Sequence, residues 1–342
     1  MKQHIFFRKR IPGIILTAIL SLALLSHYGF RSALSSKTAV IIDTDANNEL
    51  DDQFALAYLF FSGKSFTVPG VTVNATKNGG DIESHRMEAE RVMRMCKVFG
   101  KIPLKKGANK NFEDILPAIR NEQFDGSDAV NFIIQEANKP GNEKLVLLPI
   151  GKLTNIALAL AKDPSIAQKV RIVWLGSNYP ERGEYNKEND VSSMNYILSL
   201  DVPFEMVTVR SGKTTGTANI YVTKQEVDTK MPGLGPKSAP VEGRHGGMFT
   251  SFGDYAVDLF AHCDFYGEPP HRSLFDMAAV AIIKDPLFAQ KKIIPCPKLV
   301  DKGWIEQPDN KRQITIWENF DRNKIMTDFY ATMKEFDLVK MN

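Results

Sequence analysis

The chemistry of this sequence is concentrated in ten residues, Asp43-Thr-Asp45-Ala-Asn-Asn-Glu-Leu-Asp51-Asp52, which hold four aspartates. Carboxylates this close repel one another unless a cation or several hydrogen-bond donors neutralise them. Their oxygens are hard ligands, which suit Ca²⁺ or Mg²⁺ rather than zinc. Helix capping in a solvated acidic turn would account for one or two of the four. It does not account for Asp43, which ends an apolar run. The segment therefore reads as one side of a divalent-metal site.

Such a cluster works only if regular elements hold it. Ala39-Val-Ile-Ile-Asp43 has the apolar continuity of a buried strand, and residues 50–61 read as a helix. The aspartates thus fall at the carboxyl end of a strand, where open α/β sheets place their ligands. Further strands are expected at 66–73 (interrupted by Pro69-Gly70), 144–149, 170–175 and 204–209, with helices at 82–99 and 154–161. Apolar strands separated by helices argue for an open, doubly wound, mainly parallel sheet with helices on both faces. Residues 210–250 break this rhythm with loop chemistry, including Ser211-Gly-Lys-Thr-Thr-Gly216 and Gly243-Arg-His-Gly-Gly247, before a helix near Asp254. There is no internal repeat and no long linker, so residues 37–342 read as one domain.

Asp43-x-Asp45 followed by Asp51-Asp52 resembles the N-terminal signature of the inosine–uridine-preferring nucleoside hydrolases, with two residues more than usual between the pairs. Gly70-Val-Thr-Val-Asn74 is similar to the family's strand that ends in a ribose-reaching asparagine. Ile150-Gly-Lys-Leu-Thr-Asn155-Ile-Ala157 is similar to its Gly-x-Leu-Thr-Asn-Ile-Ala turn. Leu175-Gly-Ser-Asn178 with Glu184-Tyr-Asn186 resembles its amide-rich sugar-binding segments, and Leu274-Phe-Asp276-Met-Ala-Ala-Val-Ala281 its metal-closing helix start. Two departures stand out: Phe275 replaces a histidine credited with protonating the leaving group, and Met277 replaces a proline.

The resemblance implies a calcium-dependent N-ribohydrolase that splits a ribonucleoside, or a related N-riboside, into ribose and free base. Asp45, Asp52, Asp276 and the Ile150 carbonyl would hold Ca²⁺, with Asp45 also acting as general base. Asp51 and Asn186 would bind the ribose diol, Asn178 and Glu184 the 5′-hydroxyl, and Asn74 would lie under the ring. Asn155 reads as a turn-fixing residue and Asp43 as a support for the ligands. The leaving-group acid is sought among His245, His262 and His271 on chemical grounds, with His245 counted among the substrate-binding residues. Tyr255 and Tyr266 are candidates for stacking on a base.

Composition bounds the remaining readings. The 342 residues are 43% apolar and 24% charged, which excludes a disordered tail or a disulfide-stapled miniprotein. The formal charge of +3 comes from the start of the chain, where six cations precede the first carboxylate. Without them the body holds 37 basic against 40 acidic residues. No nucleic-acid footprint is present. Basic residues, an apolar run over 11–25 and then small residues give residues 1–36 the order of a secretory signal. An exported protein is expected, periplasmic or secreted, with residues 11–30 serving as a membrane tether if they are retained. Cys96, Cys263 and Cys296 are odd in number and need no pairing. Oligomeric state stays open, a homo-oligomer included.

Two other functions share some of these features. A haloacid-dehalogenase-like phosphatase also opens with Asp-x-Asp after a strand, but its second acidic pair lies far downstream. An exported nucleoside- or sugar-binding protein needs hydroxyl-binding Asp and Asn residues but no aspartate cluster.

Overall fold

Burial on both sides of one strand organises the molecule. In β1 (Thr38–Thr44), Val40 and Ile42 enter one apolar cluster while Ile41 enters another, so each face of the sheet carries a core. This is why the strand reads as an unbroken apolar run rather than an alternating one. The structure is a computed structural model describing Met1 and residues 37–341 apart from position 142. Beyond Met1, the segment expected to act as signal or anchor lies outside the described residues. Lys37–Asn342 form one compact unit. Among the described residues, no helix is long and apolar enough to cross a membrane.

After β1 come α1 (Asp51–Phe60), β2 (Phe66–Val73), α2 (Ile82–Met95) and β3 (Leu104–Lys106). A one-turn α3 (Phe112–Ile115) and α4 (Ser127–Ala137) lead to β4 (Leu145–Pro149), followed by α5 (Thr154–Lys162) and β5 (Val170–Leu175). The short α6 (Tyr185–Asn189) and α7 (Val191–Ser199) precede β6 (Phe204–Val207). Three further pieces are small: β7 (Tyr221–Thr223) with α8 (Lys224–Lys230), the hairpin β8 (Val241–Glu242) and β9 (Met248–Phe249), and α9 (Phe252–Ala261). The chain closes with β10 (His271–Ser273), α10 (Met277–Lys284), β11 (Gln290–Pro295), β12 (Lys298–Val300), β13 (Gly303–Ile305), β14 (Gln313–Glu318) and α11 (Arg322–Lys334).

The main sheet has eight strands in the order β11-β14-β6-β5-β4-β1-β2-β3. All neighbours are parallel except the edge strand β11 on β14. Strand order reverses direction between β1 and β4, which opens a crevice at their carboxyl ends. The sheet is thus the doubly wound α/β architecture that the sequence predicts. α1, α2, α9, α10 and α11 pack on one face and α4, α5 and α7 on the other.

Local differences from expectation have simple causes. The strand at 66–73 is not interrupted: β2 runs through Pro69-Gly70, and its pairing with β1 slips register between Ala39 and Ile41 instead. Gly70 is required there, because a Cβ would come 2.5 Å from the Phe132 ring. The helix expected over 82–99 stops at Met95, where Lys97 (φ +60°) and Gly100 (φ +77°) turn the chain.

Candidate active site

Two of the helices that start at the crevice carry carboxylates inward. All ten residues of α1 are buried, beginning with Asp51 and Asp52, and α10 begins directly after the buried Asp276. Helix N-termini favour negative charge, yet Asp276 makes no side-chain cap bond to its helix. Asp51, Asp52 and Asp276 can each offer an oxygen within 4.8 Å of the other two. Asp45 joins them in the wall of a cavity of about 210 Å³, together with Ile150, Glu184, Asn186 and Phe275. The cavity sits at the β1/β4 reversal.

Hydrogen bonds fix the cluster from behind. Asp43 is fully buried and accepts from Thr72 Oγ1 (2.6 Å), Asn155 Nδ2 (2.7 Å) and Asn74 Nδ2 (2.9 Å). Asn155 also donates to the Val73 carbonyl (2.9 Å) and accepts from Ala108 N (2.9 Å), tying the ends of β1 and β2 to the following loop. Asp52 Oδ1 accepts from Thr44 Oγ1 and from Asp45 N (3.2 Å). Thr76 Oγ1 donates to Asp45 Oδ2 at 2.6 Å. Thr44, Thr72 and Thr76 carry no motif signal. Only their positions beside the strand ends could have pointed to them.

The electrostatics are those of a site awaiting positive charge. Burial raises the Asp43 carboxyl to about 6, opposed by its three side-chain donors. Burial raises Asp45 to about 7 and Asp51 to about 7, with neighbouring carboxylates adding to both shifts. Asp52 and Asp276 are pushed well above the usual carboxylate range by burial and by the other aspartates. One cation nearby, Arg272, is paired with Glu49. Lys152 is buried too, but its Nζ donates to the Lys110 carbonyl (2.9 Å) and Asn111 Oδ1 (3.0 Å). An all-oxygen set of clustered, buried carboxylates fits a hard divalent cation. Gly151 leaves room for it, since a Cβ there would lie 2.7 Å from Asp45 Oδ1.

The expected sugar-side residues divide into two groups. Asn186 and Glu184 line the cavity. Asn186 Nδ2 donates to the carbonyls of Ile150 (2.8 Å) and Leu175 (3.2 Å), so it meets the expected Ile150 ligand oxygen directly. Glu184, at φ +104°, caps α6: its carboxylate accepts from the backbone N–H groups of Ser177 (2.6 Å), Asn186 (2.8 Å) and Lys187 (2.9 Å). Burial still raises its pKa above the usual carboxylate value against those three donors. Asn74, Asn178 and His245 do not line the cavity. Asn74 is wholly buried behind Asp43, with its Oδ1 lacking a partner. Asn178 acts one step back, accepting at 3.0 Å from the backbone N–H of Ser211, which does line the cavity. His245 is exposed and stacks on His262, with ring centroids 4.1 Å apart.

The candidates for the base side are also sorted. Tyr255 is a core residue whose hydroxyl donates to Glu88 at 2.6 Å, so it is not a stacking platform. Tyr266, Tyr221 and His271 line a second depression that shares Ser211 and Phe275 with the first. His271 packs between the two tyrosine rings, at 4.6 and 5.0 Å, and its Nδ1 lies 2.9 Å from the Pro269 carbonyl. Cys96, Cys263 and Cys296 are free thiols.

Known proteins share parts of this sequence and its fold. The chain is 30% identical over 196 residues to an uncharacterized protein of Schizosaccharomyces pombe, covering 49% of this chain and 60% of that protein. It is 27% identical over 151 residues to the pyrimidine-specific ribonucleoside hydrolase RihB of Shigella flexneri, covering 44% of this chain and 45% of that one. These matches span about half the length of the curated relatives. In fold, the chain is similar to a plant nucleoside hydrolase, PpNRh1, with a TM-score of 0.66 and 18% identity over 87% of this chain and 99% of the other. A family model described as inosine-uridine preferring nucleoside hydrolase matches residues 40–329, nearly the whole described domain, and the chain belongs to that family.

Proposed function

We propose that this protein hydrolyses the N-glycosidic bond of ribonucleosides, releasing ribose and free base, with Ca²⁺ as its resident metal. One observation carries the reading: four buried carboxylates, Asp45, Asp51, Asp52 and Asp276, meet at the sheet's switch point in one cavity. Asp45, Asp52, Asp276 and the Ile150 carbonyl would hold the ion, with Asp51 alongside. When bound, a divalent ion acidifies a water and anchors a vicinal diol.

The chain's own residues supply the rest. Cleavage passes through a sugar with oxocarbenium character, so positive charge grows on the ribose, and the negative field of the aspartates favours it. Asp45 takes the proton of the attacking water, held in place by the Thr76 hydroxyl on its far oxygen. Asp51 and Asn186 face the diol, and Glu184 stiffens the wall that carries Asn186. The C1′–N bond breaks as the water oxygen bonds to C1′, and the bonding pair leaves with the base. Phe275 cannot protonate that base. The base extends over Phe275 into the depression lined by Lys213, Tyr221, Tyr266 and His271, where His271 offers the imidazole. The order of basic, apolar and small residues over 1–36 supports export of the domain, with residues 11–30 as a tether where they are retained.

Incubation with a panel of ribonucleosides, followed by chromatography, tests this reading. Equal amounts of ribose and free base are expected. Retention of intact nucleoside without cleavage would leave a binding protein, and turnover of phosphate esters alone would leave a phosphatase.

A further inference from the structure

The Gly243-Arg-His-Gly-Gly247 segment takes no part in the carboxylate cavity, yet it is well fixed. It turns between β8 and β9 with Gly246 at φ +88° and Gly247 at +76°, and the Gly243 N–H donates to the Gly247 carbonyl at 3.1 Å. A Cβ on Gly243 would come 2.6 Å from the Phe249 ring. The turn therefore delivers His245 to one place, the outer face of α9. There His245 meets Asp258 and His262, an i, i+4 pair on that helix and its C-cap.

We propose that His245, Asp258 and His262 form a second metal site, for a borderline divalent ion of the Zn²⁺ class, separate from the carboxylate cluster. Each of the three can present one ligand atom within 4.8 Å of the other two. His245 Nδ1 is 3.5 Å from Asp258 Oδ2. Metal–ligand bonds of about 2.0–2.1 Å give a tetrahedral edge of roughly 3.3–3.4 Å, so little closure is needed there. Asp258 Oδ2 is buried, and His245 Nδ1 is the group that faces it. His262 Nδ1 lies 2.8 Å from the Asp258 carbonyl. The same Nδ1 is 3.6 Å from Asp258 Oδ1, so a modest turn of this ring exchanges the carbonyl contact for a metal bond.

The chemistry of the donors separates this site from the first. Two imidazoles and one carboxylate suit zinc, copper or nickel, whereas the cavity offers oxygens only. The two rings stack at 4.1 Å, so one of these exposed rings turns out of the stack when both nitrogens face one ion. Partial burial, with Arg244 and His262 nearby, holds the His245 pKa below the usual imidazole value, which favours the neutral ring that a metal requires. The consequence reaches the cavity. Arg244 Nη1, next to His245, donates to the Glu49 carbonyl at 2.8 Å, and Glu49 lines the carboxylate cavity. A bound ion would pin the hairpin to α9 and hold that contact.

Cobalt titration of the calcium-saturated protein tests the site by the visible absorption of an N,O-ligated Co²⁺ ion. One equivalent is expected to bind in excess calcium, to be displaced by Zn²⁺, and to weaken at least tenfold in each of H245A, H262A and D258N. Melting curves of the variants in chelator, unchanged from the parent, confirm that the fold is intact. H262Q, which keeps the side-chain length and a polar tip, should lose the cobalt signal as well. The proposal is overturned if calcium competes the cobalt away, if no cobalt binds, or if the histidine variants bind it as the parent does.

Discussion

At the scale of single residues, Asp45 has the most specific part. Asp45→Asn keeps an oxygen ligand but removes the proton acceptor, so turnover should fall by a factor on the order of 10² to 10⁴ with metal uptake retained. Near-normal turnover would remove Asp45 from the role. Thr76 acts through Asp45: its hydroxyl stabilises the charged carboxylate. In Thr76→Val the acid limb of the pH–rate profile should therefore move to higher pH, a shift that a merely structural role would not produce. The leaving group is governed elsewhere. His271 borders the second depression while His245 does not, so His271→Ala should slow inosine cleavage by roughly 10² and spare p-nitrophenyl riboside, whose leaving group needs no proton. His245→Ala should leave both rates alone. Equal losses on both substrates in the His271 variant would point to ribose binding instead.

At the scale of elements, the site exists because three strand or helix ends converge. β1 delivers Asp43 and Asp45, α1 delivers Asp51 and Asp52, and α10 follows Asp276. Asn155, at the start of α5, cross-links this arrangement through Asp43, Val73 and Ala108. Asn155→Leu removes those bonds and leaves a buried carboxylate short of a donor, at a cost of about 1–3 kcal/mol of stability. A urea midpoint equal to that of the parent would contradict this. Most of these elements were legible from the sequence, since β1, β4 and β5 are apolar throughout and flanked by helix patterns. Asp51, Asp52, Asp276, Glu184 and Asn186, singled out by motif order, line one cavity. Asn178 and Asn74 stand outside the cavity wall, because spacing reveals a residue type near a strand end but not whether its amide faces the cavity or the loop behind it. His245 lies away from the cavity for a different reason: residues 210–250 fold into small pieces, β7, α8 and the β8–β9 hairpin, outside the main sheet, whose pattern gives no register from which to place a side chain. β14 escaped notice because Gln313–Glu318 alternates polar and apolar residues, unlike the continuous runs of the inner strands.

At the scale of the whole molecule, the cluster links metal, pH and stability. Asp45 and Asp51 have folded-state values near 7, above the 3.8 of an exposed aspartate. A raised acid value favours the fold while the group is protonated, and that stability is lost as pH rises from about 4 through about 7. The chelated protein should therefore melt at progressively lower temperature than the calcium-loaded protein as pH rises from about 5 to about 8. A gap that stays constant or narrows over that range would show that the carboxylates do not face a cation. The most direct test joins occupancy to catalysis: chelated protein is titrated with Ca²⁺ while bound metal and released base are both measured. Base release should rise in proportion to one bound ion of the cluster, and Asp276→Ala, which removes a ligand oxygen altogether, should lower both together. Full cleavage of a ribonucleoside by protein that holds no divalent ion would contradict the account.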